Sequence, residues 1–135
     1  MGRRGGARSV ALACLAWLGA CAWHPAEPTL LTTSDYQAVQ EVLARSPQAR
    51  AELEEDCLRG TAGATPPKER AAMAELLEVS PDEVPRAFCR RLVAAIARGD
   101  LSHADYEALQ SGSDDPAFLR RLARILRRPP DGYAI

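Results

Sequence analysis

Aromatic residues make up only 5% of this 135-residue chain. Its body holds Phe88, Phe118, Tyr36, Tyr106 and Tyr133, with Trp23 nearer the start. Leucine, alanine and valine must therefore fill most of any core. Stacking platforms for a nucleic-acid strand are scarce, and a formal net charge of -1 supplies no basic field to attract one. Apolar and polar residues nowhere alternate over the length of a strand, which argues against a sheet. The two histidines, His24 and His103, stand far apart without an obvious nucleophile or set of carboxylates beside them. No metal, no cofactor and no catalytic residue is expected from such an inventory.

What is present begins at the N-terminus. Arg3, Arg4 and Arg8 precede an apolar run from Val10 to Leu18, and small residues follow, which are the three parts of a secretory signal. The run falls short of the about 20 residues a bilayer-spanning helix needs. Leu18-Gly19-Ala20-Cys21 resembles the lipobox of bacterial lipoproteins, although Gly19 stands where many have Ala, Ser or Thr. The resemblance implies cleavage before Cys21, loss of residues 1–20, and a lipid on Cys21 that anchors the protein in the cell envelope. Ala22 in the next position, rather than Asp, resembles outer-membrane sorting and places the domain at the periplasmic face. A second reading uses Ala20-Cys21-Ala22 as the site of ordinary signal peptidase and releases a soluble periplasmic or secreted protein that starts at Trp23. Both readings export the protein, and loss of the three arginines leaves the remainder at about −4.

The four cysteines fit that address. Cys14 leaves with the leader, and Cys21 is either lipidated or removed. Cys57 and Cys89 remain, and in an oxidising compartment they are expected to pair as a disulfide. A redox-active role is not expected without a Cys-x-x-Cys motif.

Residues 21–31 read as a tether, since Pro25 and Pro28 prevent a helix there and Trp23 suits a membrane interface. Residues 32–129 read as an all-α domain, a bundle of five to six short helices, and 130–135 as a tail. Thr32 and Asp35 cap a first helix, with Leu31 and Tyr36 as its hydrophobic staple and Tyr36, Val39, Val42 and Leu43 on one face. Ser46-Pro47 starts a second, which carries Leu53 and Cys57 inward and ends at Gly60. Thr65-Pro66 opens a third with Ala72, Met73, Leu76 and Leu77 on its apolar side. Ser80-Pro81-Asp82-Glu83 is a capping box stapled by Val79 and Val84, and Pro85 leaves a single turn ahead of the main helix. That helix runs to Arg98 with the strongest stripe in the chain, Phe88, Leu92, Val93 and Ile96. Cys89 borders the stripe and faces the helix of Cys57. Gly99 ends it, Ser102 and Asp105 cap the next, and Asp115-Pro116 starts the last, which turns Phe118, Leu119, Leu122, Ile125 and Leu126 inward before Pro129-Pro130.

Two further patterns stand out. Leu31-Thr32-Thr33-Ser34-Asp35-Tyr36 matches Leu101-Ser102-His103-Ala104-Asp105-Tyr106, and a proline-started helix follows each, at Pro47 and Pro116. Two related helical hairpins would produce this, and so would shared capping chemistry. Gly99, Leu101, Ser102 and Asp105 resemble the second half of an EF-hand loop, but Ala94, Ile96 and Arg98 replace its first oxygen ligands, so calcium is not expected.

The last helix carries Arg120, Arg121, Arg124, Arg127 and Arg128 on its polar side. This is the candidate partner surface, suited to anionic lipid, acidic cell-wall polymer or an envelope protein. The competing reading is a solvated face partly neutralised by Glu52, Glu54, Glu55 and Asp56. The expectation is a small exported envelope lipoprotein acting as a structural or interaction module at the periplasmic face, and not an enzyme. The alternative is a soluble exported helical protein that binds a protein partner.

Overall fold

The computed structural model describes residues 31–61 and 63–130. The leader, Cys21 and most of the tether and tail expected above lie outside the described residues. Six α-helices follow one another: α1 (Thr33–Arg45), α2 (Pro47–Thr61), α3 (Pro67–Leu77), α4 (Val84–Arg98), α5 (His103–Gln110) and α6 (Pro116–Arg127), with a 3-10 turn at Pro81–Glu83 before α4. Among the described residues there is no strand, and the fold is an all-α bundle as expected.

The helix starts follow local side-chain chemistry. The Thr32 hydroxyl accepts from the Asp35 amide at 3.1 Å while the Asp35 carboxylate accepts from the Thr32 amide and hydroxyl. Ser102 and Asp105 repeat this arrangement at α5, and Ser80 and Glu83 form the third box. Asp115 accepts from the Phe118 amide at 2.9 Å and starts α6. The α3 start differs from expectation, because Pro67 holds Pro66 in an extended conformation (φ −58°, ψ 149°) and the helix begins only at Pro67, without a side-chain cap.

Helix ends depend more on the surroundings. Gly99 takes φ +77° and closes α4, its own amide bonding Ile96 O at 3.0 Å and the Asp100 amide bonding Ala95 O at 2.9 Å. Glu78 performs the same task for α3 at φ +56°, a conformation that costs a side chain about 1 kcal/mol or more. α2 runs through Gly60 to Thr61, whose hydroxyl donates to Cys57 O at 2.9 Å, so Gly60 is not its terminator. Three long side chains reach the terminal carbonyls of α4, α1 and α6: Gln40 donates to Ile96 O, Arg50 to Leu43 O and Arg91 to Leu126 O.

α4 is the central strut. One side packs with Tyr36, Leu43 and Leu101, the other with Ala74, Leu77 and Leu126, and Leu92 and Leu122 touch both clusters. Several expected inward residues point elsewhere. Ala72 is exposed because α3 presents Ala74 and Leu77 to Val84 and Leu126 instead. Val42 and Leu119 are 54% and 47% exposed, each one residue round the helix from a buried neighbour, Leu43 and Phe118. The stripe residues Phe88 and Leu92 are half-buried, whereas Cys89, expected at the border, is fully enclosed. α2 buries no residue completely. Its covalent hold on α4 is Cys57–Cys89, whose Cα atoms are 5.7 Å apart at disulfide-bonding distance.

Candidate functional site

The two matching segments meet each other. Thr33 Oγ1 and His103 Nδ1, which hold equivalent positions, are 3.1 Å apart, and the equivalent rings of Tyr36 and Tyr106 lie 5.4 Å apart between centroids. The Tyr36 hydroxyl donates to Leu101 O at 2.7 Å, while His103 Nε2 bonds Leu31 O at 2.7 Å. Since a carbonyl only accepts, Nε2 carries a proton, and in the neutral ring Nδ1 accepts from Thr33. Pairing of like positions is the pattern of a local two-fold contact. It clasps α5 to α1 and binds Leu31, expected to be tether, into the domain. The Tyr36 phenol is buried, and burial, with the nearby Asp105 carboxylate and Tyr106, pushes its pKa up to about 12.

The contact is not symmetric in charge. Asp35 is exposed, whereas Asp105 is only 8% exposed and receives Arg121 Nη2 at 2.8 Å. Burial raises the Asp105 carboxyl, but hydrogen bonds from Arg121 and Ser102 and the Arg121 charge outweigh it and hold the group below its ordinary range.

This pairing divides the five arginines of α6. Arg121 is committed to Asp105, and Arg128 reaches Asp100 at 3.2 Å, which also accepts from Arg98 at 2.8 Å. Arg120, Arg124 and Arg127 are exposed and have no acidic partner among the described residues. Their exposure fits a solvated face, but the acidic cluster of α2 expected to neutralise it in part is not in contact with them. α6 packs on α3, α4 and α5, and is not a neighbour of α2. Glu54 and Glu55 instead share a shallow pocket with Arg86 of α4. Burial raises the Glu54 carboxyl, opposed by the charges of Arg90 and Arg50. Asp56 pairs within its own helix with Arg59.

A second feature was not visible in the sequence. α2 packs on α4 and α1, whereas α5 packs on α1 and α6; the two are not neighbours, and the gap between them is a cleft of about 550 Å³. Leu92, Val93 and Ile96 of α4 are among its walls, with Leu53 and Cys57 of α2 and Tyr106 and Leu109 of α5. None of the residues lining it is charged. The helical periodicity assigned Leu53, Cys57, Leu92, Val93 and Ile96 to the inward faces, and periodicity carries no signal that two helices stand apart.

Among the described residues no group of three or more His, Cys, Asp and Glu side chains is placed to hold a metal ion, and no helix is long and apolar enough to cross a membrane. The class that fold and geometry define is a small disulfide-linked helical bundle with an arginine ridge and an apolar cleft. Comparison with family models, curated proteins and solved structures finds no match.

Proposed function

We propose that this chain is a small exported envelope lipoprotein, tethered through Cys21, whose helical domain is a non-catalytic interaction module seated on anionic phospholipid at the periplasmic face of the membrane. The observation that carries the reading is the exposure of Arg120, Arg124 and Arg127 without acidic partners among the described residues. Positions 120 and 127 are separated by about 10 Å along the helix, so the three guanidinium groups form one ridge. Exposed Leu119 lies at its start, able to enter the headgroup boundary.

Magnitudes assign the ridge its role. Each arginine near an anionic membrane contributes about 1 kcal/mol, and three together about 3 kcal/mol, too little to hold a free protein at the surface. A lipid anchor raises the effective concentration, and the same 3 kcal/mol then suffices to orient a tethered domain.

The test expresses the protein with its own leader in a Gram-negative host and reads the mature N-terminus by mass spectrometry. An acylated Cys21 supports the reading, and a free Trp23 replaces it with the soluble exported alternative. For protein lacking the lipid, the weak association with phosphatidylglycerol vesicles that the ridge alone supplies should fall at least tenfold when Arg120, Arg124 and Arg127 are changed to Glu, and should weaken with salt. Unchanged, salt-insensitive binding, or binding to acidic cell-wall polymer alone, counts against the lipid surface.

A further inference from the structure

We propose that the cleft between α2 and α5 is a binding site for one long acyl chain, of the kind a free fatty acid carries. Three observations on the cleft lead there, and none depends on the arginine ridge.

The first is that the cleft is built to stay open. The Cys57–Cys89 disulfide fixes α2 to α4, and the Tyr36, His103 and Tyr106 clasp fixes α5 to α1. The two ties hold α2 and α5 on different supports and so oppose closure of the gap. An apolar hollow held open exposes surface to water at a cost that a ligand removes. Its volume of about 550 Å³ lies within the range of small-molecule sites.

The second is the shape and chemistry of the walls. The chain has 17 basic and 18 acidic residues, yet no charged residue lines the cleft, so the body of the ligand is uncharged. Leu53, Phe88, Leu92, Tyr106 and Leu109 are half-buried, that is, recessed below the surface. A flat protein surface cannot reach recessed walls, whereas a slender aliphatic chain can. A second copy would have to offer a protruding apolar group, but the large hydrophobics exposed among the described residues are Val42 and Leu119.

The third is the polar end. Tyr106 and Gln110 stand four apart on α5 and line the cleft together, Gln110 exposed at its mouth. Neither the Tyr106 hydroxyl nor the Gln110 amide has a hydrogen-bond partner among the described residues, whereas the Tyr36 hydroxyl is already committed to Leu101 O. Two free donors among the residues lining an apolar hollow, one of them exposed, match the acceptor oxygens of a carboxylate head with its chain inside.

The experiment titrates hexadecanoic acid, below the concentration at which it aggregates, into the oxidised protein purified after export with its own leader. Methyl resonances of Leu53, Leu92 and Leu109 and the ring of Tyr106 report on the cleft. The expected result is a saturable one-to-one shift of these resonances, with affinity falling as the acid shortens, by up to about fourfold per methylene withdrawn from water. Leu109→Arg should weaken binding at least tenfold, and Tyr106→Phe severalfold with thermal unfolding unchanged. The Tyr106 variant keeps the proposal testable should the arginine disturb folding. Shifts confined to the arginines of α6, an affinity independent of chain length, or equal binding by both variants and the parent would overturn the proposal.

Discussion

Tyr36 carries several duties with one side chain. Its ring fills the space between α1, α4 and α5, and its hydroxyl satisfies the Leu101 carbonyl at the entrance to α5. Burial with a carboxylate nearby pushes the phenol from 10.0 up to about 12, so the folded state holds the proton more tightly than the unfolded one. Stability from this group is therefore complete below pH 10 and is lost as pH rises toward 12. Tyr36→Phe should cost about 1–3 kcal/mol at neutral pH, because the Leu101 carbonyl loses its donor. Denaturant unfolding of both proteins across this alkaline window should show the parent's advantage shrinking. A constant difference would mean that the hydroxyl does not titrate with folding.

At the scale of the element, starts and ends obey different rules. The starts of α1, α2, α5 and α6 each carry a side-chain cap within a few positions, such as Thr32 with Asp35 or Asp115 with the Phe118 amide. Two ends also draw on distant side chains: Gln40 is 56 residues from Ile96, and Arg91 is 35 from Leu126. The end of α3 shows the cost of having no glycine, since Glu78 adopts φ +56° to let the Val79 amide bond Ala74 O at 3.1 Å. Glu78→Gly relieves that strain but loosens the unfolded chain, and should stabilise the protein by a net of about 0.5–1 kcal/mol. The check is a higher denaturant midpoint at unchanged slope.

Across the whole molecule, α2 is the element most dependent on a single bond. It lies along α4 in the most extensive helix–helix contact of the bundle, yet buries no side chain completely, so that contact rests on half-buried residues such as Leu53 and on the disulfide. The disulfide closes a loop with a sequence separation of 32, which on the chain-entropy model is worth roughly 3–4 kcal/mol. That is a large share of the about 5–15 kcal/mol by which domains are stable. Cys57→Ser should lower stability by this amount under oxidising conditions, and hydrogen exchange should show α2 opening first. Equal unfolding of variant and parent would leave the bond without a structural role.

Much of this molecule was legible in the chain itself. The all-α class, most helix starts, the Gly99 terminator and the pairing of Cys57 with Cys89 follow from local capping chemistry, helical period and the elimination of other cysteines. All of these are short-range rules or counts. The sequence also marked five arginines as one face, but only the packing of α6 beside the α4–α5 turn separates Arg121 and Arg128, held by Asp105 and Asp100, from the three that remain uncommitted. It marked the Leu31 and Leu101 segments as alike, but not that they face each other and share a tyrosine pair. The cleft is the clearest case. Leu53, Cys57 and Leu92 read as inward residues, and they become walls because the disulfide and the clasp hold α2 and α5 on separate supports. Distances between helices are set by contacts among residues far apart in the chain, and a pattern read along the chain contains no measure of them.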